Sequence, residues 1–148
     1  MYREGSPVIE TPLAFARTLQ EMLMTSNGGI IRIFPGTPSV WKDVCFADLR
    51  AEGAFLVSAA KTDGQLKFIT IKSLAGEPCL VKTGFAGPIK VAGINAKALE
   101  NLTGGMVQLS LKKGETATLY TGDQLPDITI KPVNFLTNSS PWGEKKPL

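Results

Sequence analysis

The sequence predicts a mainly β protein, an antiparallel β-sandwich preceded by one N-terminal α-helix. Three observations lead to this fold class. Apolar residues recur at helical spacing only before residue 27, and from Ile30 onward short apolar runs are separated by glycine and proline. Asp63-Gly64 stands between two such runs, which is a strong β-hairpin signal. Short strands with frequent glycine and proline turns are typical of a sandwich.

The predicted helix begins at Thr11-Pro12, with threonine as N-cap and proline at the first helical position, where its missing N–H costs nothing. Asn27-Gly28-Gly29 is expected to end it, because asparagine and glycine adopt the left-handed conformation readily. The pattern predicts about four helical turns. One face carries apolar residues at helical spacing: Phe15, Ala16, Leu19, Met22 and Leu23.

A second flank of this helix also carries apolar residues. Leu13 and Met24 project together at about 100° per residue, next to Gln20 and away from the first stripe. A helix packed on one sheet needs one apolar stripe, whereas a helix wedged between other helices needs two. The flank therefore fits either a neighbour supplied from elsewhere or two stray apolar residues on the surface.

The strand predictions begin with IIRIF at residues 30–34, which is followed by the proline-rich loop PGTPS. Residues 41–46 are predicted to be extended, and residues 47–50 to form a turn or short helical turn. The runs 52–61 and 66–73 should pair antiparallel around Asp63-Gly64. Further strands are expected at 78–82, 89–91, 106–111, 116–120 and 128–130. Residues 106–111 and 116–120 are predicted to form a second hairpin. The rest of 84–105 is expected to be irregular.

The change of hydrophobic period divides the chain into regions. Residues 1–29 hold a loop and the helix, and residues 30–55 form a junction. Residues 56–132 form the β-sandwich domain, together with strands from the junction. The tail, residues 133–148, has little periodicity and is expected to run over the surface or to be disordered.

Composition limits the classes of function. The 148 residues suit one domain that buries roughly two thirds of its unfolded surface. Hydrophobic residues make up 43% and charged residues 20%, which is typical of a globular protein. The net charge of +3 is small and scattered, so we expect no nucleic-acid partner. No apolar run is long enough to span a bilayer, and the start MYREGSP lacks the apolar core of an export signal, so we expect no membrane partner and assign no localisation.

The residue types present exclude several kinds of site. The sequence contains no histidine, which rules out a Ser-His-Asp triad and most zinc sites within it. Cys45 and Cys79 are too few for a disulfide scaffold, and we expect both to be buried thiols. The acids of the loop 122–127 lack the regular ligand spacing of a calcium loop. We therefore expect neither a metal nor a cofactor.

Glu10 is the only carboxylate with a local reason to be a catalytic candidate. It lies immediately before the predicted helix N-terminus, where unpaired N–H groups and a partial positive charge favour an ionised carboxylate. An ordinary capping acid explains the same position.

For ligand binding the candidates are Trp41, Tyr120 and Trp142, because the apolar face of a sugar stacks on an exposed aromatic ring. Trp41, between a proline-rich loop and Lys42-Asp43, equally suits a core or interdomain anchor.

Residues 19–59 resemble the C-terminal part of the family-95 glycoside hydrolases, the α-L-fucosidase group and its relatives. In that family an EMLLQS-type helix end leads into a strand, then an LP-x-x-P-x-x-W-x-x-G style segment, then LRA-x-GGF. The matching residues are Glu21-Met22-Leu23, Phe34-Pro35, Pro38, Trp41-Lys42-Asp43 and the run LRAEGAF at 49–55. The later runs IKSLAGEPCLV and LKKGETATLY are similar in style to the family's C-terminal β-domain.

The resemblance implies that the chain is a fragment. Family members have an N-terminal β-domain, a helical linker, a six-hairpin α/α barrel that carries the active site, and a C-terminal β-domain. This chain would hold the last helix of the barrel and the whole C-terminal domain, so its expected partner is the missing barrel. The second apolar flank of the helix fits that expectation. The family's activity is inverting hydrolysis, with an acid and a base on opposite faces of the sugar.

The resemblance also bears on Glu10. In the family an Ile-Asp-Gly-Asn-Phe-Gly type segment starts this helix, and its Asp helps to activate the water. Glu10 matches that position by its distance from Glu21-Met22-Leu23, but Glu replaces Asp and Thr11-Pro12-Leu13 replaces Gly-Asn-Phe. A base misplaced by about 1 Å can cost about a hundredfold in rate. The parent is therefore expected to have altered specificity or no fucosidase activity.

Three functional hypotheses follow. The first is a non-catalytic C-terminal domain of a multidomain, periplasmic or extracellular glycoside hydrolase, in which the sandwich supports the barrel and Glu10 acts only in the full-length parent. The second is an autonomous carbohydrate-binding module whose glycan partner stacks on Trp142, Tyr120 or Trp41. The third is a purely structural adhesion-type sandwich.

Overall fold

A computed structural model describes residues 9–130, which form one helix and ten strands. Helix α1 spans Glu10–Leu23. The strands are β1 (Met24–Asn27), β2 (Ile30–Ile33), β3 (Val44–Ala51), β4 (Phe55–Thr62), β5 (Gln65–Ser73), β6 (Pro78–Lys82), β7 (Lys90–Ala92), β8 (Leu99–Asn101), β9 (Met106–Ser110) and β10 (Thr116–Tyr120). Short 3₁₀ turns lie at Ala96–Ala98 and Thr103–Gly105.

The strands form two five-stranded sheets. Sheet A has the order β1-β2-β6-β9-β8, and sheet B has the order β3-β4-β5-β10-β7. Every neighbouring pair is antiparallel except β2 and β6, which run parallel. The predicted fold class, a mainly antiparallel β-sandwich preceded by one helix, is confirmed.

The core lies between the inner faces of the two sheets. Alternate residues of each strand point inward, because successive side chains of a strand face opposite sides. Each fully buried aliphatic side chain of this kind stabilises the fold by roughly 1.5–3 kcal/mol. The side chains with 0% exposure include Val81, Val107 and Leu109 from sheet A and Val57, Ile69, Ile71 and Leu119 from sheet B.

The hairpin predicted around Asp63-Gly64 is confirmed. Strands β4 and β5 pair antiparallel up to Thr62 and Gln65. Asp63 and Gly64 both have positive φ, 53° and 75°. A two-residue turn with positive φ at both positions matches the right-handed twist of the strands, which is why Asp-Gly is favoured there.

The predicted helix end is wrong, since α1 ends at Leu23 and not at Asn27. Met24–Asn27 form β1, which pairs with β2, and Asn27-Gly28-Gly29 supplies the hairpin turn between them. The same left-handed preference that ends a helix also makes a hairpin turn, with φ of 60° at Gly28 and 74° at Gly29. The N-cap is Ile9 without a side-chain hydrogen bond, so the predicted Thr11 cap is also wrong.

The predicted second hairpin is wrong as well. β9 belongs to sheet A and β10 to sheet B, so the two strands do not pair. The turn itself forms, with Glu115 N–H donating to Lys112 O at 3.0 Å. Leu109 and Leu119 are both fully buried. They approach the core from opposite sheets, so the turn is an arch that crosses from one sheet to the other.

Smaller differences concern the ends of strands. Residues 47–50 are part of β3 and not a turn, and β8 forms within the stretch expected to be irregular. Residues 128–130 are not a strand; they lie over the outer face of sheet B, beside Phe68. Cys79 is buried as predicted, whereas Cys45 is only half-buried. The predicted tail, residues 133–148, lies outside the described residues.

Candidate functional site

The most unusual surface of the described chain is helix α1. Not one of its residues is buried. Leu13 is 62% exposed, Phe15 70% and Leu19 37%, and the preceding Ile9 is 69% exposed. Monomeric domains rarely leave large apolar side chains uncovered in a contiguous group. The predicted second flank is wrong in part, since Leu13 is exposed but Met24 is a buried core residue of β1 and does not belong to the helix.

The last turn of α1 is nevertheless fixed to the sandwich. Phe34 N–H donates to Leu23 O at 2.8 Å, and Gly36 N–H donates to Met22 O at 3.1 Å. A Cβ on Gly36 would lie 3.1 Å from Met22 Cα, so this approach favours a glycine. Met22 and Leu23 are half-buried there. The helix is thus attached at its C-terminal end and uncovered along the rest.

The segment after β2 is held against sheet B. The Phe34 and Phe46 rings meet edge to face, with centroids 5.4 Å apart. Lys61 Nζ lies 5.6 Å from the Phe34 centroid and donates to Thr37 Oγ1 at 3.2 Å. These contacts fix the course of the proline-rich loop that leads from sheet A to sheet B.

A second set of hydrogen bonds joins the two sheets at the β3–β4 turn. Glu52 N–H donates to Ser26 Oγ at 2.6 Å, and Gly29 N–H donates to Glu52 Oε2 at 3.5 Å. The turn itself uses two left-handed residues, Gly53 at φ 79° and Ala54 at φ 60°. The first hairpin of sheet A is therefore tied to the run LRAEGAF.

A β-bulge in β3 shapes the same region. The pairing with β4 shifts between Phe46 and Leu49, and Asp48 has a φ of 51°. Asp48 N–H donates to Ser58 Oγ at 2.9 Å, and the same hydroxyl donates to Asp48 Oδ1 at 3.3 Å. A bulge leaves its extra residue without a partner in the strand ladder. The Ser58 hydroxyl supplies hydrogen bonds to Asp48 in place of the missing backbone partner.

Helix α1, β1 and β3 enclose a cleft of about 680 Å³, which we call the junction cleft. Arg17 and Glu21 form an exposed ion pair on the helix side, with Nε to Oε1 at 3.0 Å. The two most specific parts of the family-like pattern, the helix end and LRAEGAF, both contribute to the cleft. Its charged and hydroxyl side chains are Arg17, Glu21, Thr25, Ser26, Asp48, Arg50 and Glu52.

The candidate residues from the sequence lie on separate elements. Glu10 is the first residue of α1 and is exposed, about 16 Å along the helix axis from Glu21. Trp41, 36% exposed, is in the loop before β3. Tyr120 is half-buried at the end of β10. No hydrogen bond or ring contact joins any two of these three within residues 9–130. Trp142 lies outside the described residues.

The remaining chemical features of the described residues concern metal-ligating groups, a buried thiol and helix length. No group of three or more metal-ligating side chains occurs among residues 9–130. Burial raises the pKa of the Cys79 thiol to about 12, so the thiol stays protonated between the sheets. No described helix has the length and apolar character needed to cross a membrane.

Sequence reasoning missed the roles of Ser26, Asp48 and Glu52. Asp48 left a signal, because aspartate is disfavoured inside a strand and tolerates positive φ, which together indicate a bulge. Nothing in the sequence around Ser26 or Glu52 indicates their hydrogen bond. They are 26 residues apart, and only the fold brings them together.

A comparison with protein families identifies the β-sandwich region. The model described as "Glycoside hydrolase family 95, C-terminal domain" matches residues 25–119. The matched region runs from β1 to β10 and so covers both sheets, the junction and Trp41. Helix α1 with Glu10 precedes it, and Tyr120 follows it directly. A search of the curated proteins finds no match.

Proposed function

Because the chain belongs to the C-terminal domain family of glycoside hydrolase family 95, we propose that its β-sandwich supports a catalytic α/α barrel. The barrel is supplied by the parent protein and packs on the open flanks of α1. The chain by itself does not hydrolyse glycosides.

The exposure of α1 is the observation that carries this proposal. The apolar side chains of Leu13 and Phe15 are 62% and 70% exposed, although the large apolar side chains of a helix normally pack against another element. Exposing rather than burying such a side chain costs roughly 1.5–3 kcal/mol of hydrophobic stabilisation. A helical neighbour in the parent would recover this energy.

The junction supports the same role, since it fixes the helix relative to both sheets. The Gly36–Met22 bond holds the helix end, the Phe34–Phe46 contact holds the loop, and the Ser26–Glu52 bond joins the sheets. Val40 and Trp41, 76% and 36% exposed, extend the apolar surface into the proline-rich loop. Trp41 then acts as an interdomain anchor.

For the parent we propose an α-L-fucosidase-like, inverting glycoside hydrolase. Glu10 would occupy the position of the water-activating carboxylate, at the N-terminal end of α1. A general acid on the opposite face of the sugar would come from the barrel. The replacement of Asp by Glu and the Thr11-Pro12-Leu13 segment predict a changed specificity or a weak activity.

An activity assay tests the non-catalytic part of the proposal. The purified chain is expected to leave an aryl α-L-fucoside intact at any pH between about 4 and 9. Turnover that disappears in Glu10→Gln and persists in the exposed control Glu21→Gln would contradict the proposal, because it would make the chain an enzyme without a barrel.

The second hypothesis, an autonomous carbohydrate-binding module, is tested by glycan binding to variants of the candidate aromatic residues. No ring contact joins Trp41 and Tyr120 within residues 9–130. Glycan binding that is abolished by Trp41→Ala, Tyr120→Ala or Trp142→Ala would favour the module. An open reading frame upstream that encodes a helical barrel would favour the supporting domain.

A further inference from the structure

A cavity lies on the outer face of sheet B, and none of its lining residues belongs to α1. Its volume is about 280 Å³, and it lies where residues 127–130 pass over β3, β4 and β5. Cys45, Ala60 and Phe68 are cross-strand partners on this face and form its floor. Phe68 is only 2% exposed although it lies outside the core cluster between the sheets. The cavity therefore has a closed, apolar floor.

The walls of this cavity are polar. Asp43, Thr62 and Lys67 contribute from the sheet side, and Asp127 contributes from the covering segment. Asp43 is held in place because its Oδ1 accepts a hydrogen bond from Asp63 N–H at 3.0 Å, across the β4–β5 turn. Lys67 makes no hydrogen bond or ion pair with another residue in the range 9–130. Its ammonium group is available to a ligand.

The charge and the size of the cavity restrict the ligand. Carboxylates and an ammonium group share the walls, so an ion of either sign would meet a like charge. A neutral molecule with several hydroxyls would form hydrogen bonds with both kinds of charged group, because carboxylates accept hydrogen bonds and ammonium groups donate them. The volume is slightly below the roughly 300–1,000 Å³ typical of drug-sized ligands, which suits a single ring.

We propose that this cavity binds one neutral sugar unit, with Asp43 and Lys67 as polar contacts and the apolar floor under the C–H face of the ring. Neither α1 nor the described candidates Trp41 and Tyr120 line this site. One ring in an open site is expected to bind with a millimolar dissociation constant. The inference does not depend on the barrel.

Amide chemical shifts of the full 148-residue chain, titrated with D-galactose, D-glucose and L-fucose, test the proposal. At about 10 mM sugar, several times the expected dissociation constant, shifts should concentrate at Thr62, Lys67 and Phe68. Asp43→Asn should weaken binding at least tenfold, since the amide oxygen still accepts the Asp63 N–H but no longer offers a carboxylate. Lys67→Gln should also weaken it and leaves the turn untouched.

The matched control is Asp123→Asn, which removes an exposed carboxylate paired with Lys90 at 3.2 Å, beyond the opposite edge of the same sheet. Its sugar affinity should equal that of the unmodified chain. Three results would overturn the inference: no shifts with any of the sugars, equal weakening by the control, or tighter binding of free glycine, which would make the site a zwitterion site.

Discussion

Ser26 Oγ accepts a hydrogen bond from Glu52 N–H at 2.6 Å and so ties the edge strand of sheet A to the turn that follows the edge strand of sheet B. Both residues also line the junction cleft, which α1 shares. The bond closes the side of the sandwich that faces the helix. A change at either residue should therefore affect the stability of the domain and the position of its docking surface together.

Ser26→Ala should lower the free energy of unfolding by about 1 kcal/mol, because it leaves the Glu52 N–H without its protein partner. Urea unfolding with an unchanged m-value measures the loss. Ser39→Ala, at an exposed serine in the β2–β3 loop, is the control and should change stability by less than about 0.5 kcal/mol. Equal effects at the two serines would mean that the hydrogen bond between Ser26 and Glu52 makes no specific contribution to stability.

Ala54→Gly should stabilise the domain by roughly 0.5 kcal/mol. Ala54 has a φ of 60°, and the left-handed conformation costs an L-residue about 1 kcal/mol or more, which exceeds the entropic cost of a glycine. Gly53→Ala, one residue earlier, should do the opposite, since its Cβ would lie 2.7 Å from Phe55 Cε2 at a φ of 79°. Thermal melting of the two variants should give Tm shifts of opposite sign.

Cys79 should make stability decrease at alkaline pH. Its pKa is raised to about 12 in the folded chain from 9.0, so between these values the unfolded state has lost a proton that the folded state retains. The contribution is complete below about pH 9 and declines above it, by up to about 1.4 kcal/mol per pH unit. Cys79→Ala should flatten this dependence in urea unfolding at pH 8 to 11. An unchanged slope would show that other groups cause it.

The strands that could be predicted from the sequence are those with local signals. Asp63-Gly64 specifies its hairpin through backbone conformation alone, and the pairing of β4 with β5 follows. The β9–β10 turn carries an equally good local signal, but the choice between a hairpin and an arch depends on which side of the core Leu109 and Leu119 approach. That choice is a tertiary property, and no window of sequence contains it.

The candidate site was predictable only in part. Of the two residues assigned to the second apolar flank, Leu13 is exposed on α1, whereas Met24 is a buried residue of β1. The helix was predicted to end at Asn27-Gly28-Gly29 because this sequence is as typical of a helix end as of a hairpin turn. In the structure it lies at the turn between β1 and β2. The cavity over Phe68 could not be foreseen, since residues 127–130 reach it only after β10 has joined sheet B.

Phe15→Gln should leave the isolated chain intact. The side chain is 70% exposed, so the free energy of unfolding should change by less than about 0.5 kcal/mol. Phe55→Ala, at a residue 2% exposed, should lower it by roughly 3–5 kcal/mol in the same urea titration. A large effect at Phe15 would show that the helix face is already covered within this chain.

Direct binding to a barrel tests the central claim. The chain should bind the catalytic part of a family-95 glycoside hydrolase that has been truncated before the last helix of its barrel, and calorimetry should report the affinity. Leu13→Gln combined with Phe15→Gln should weaken that binding at least tenfold, whereas Asp123→Asn, away from α1, should not change it. Failure of the unmodified chain to bind, or equal binding by the double variant, would contradict the role of α1 as the docking surface.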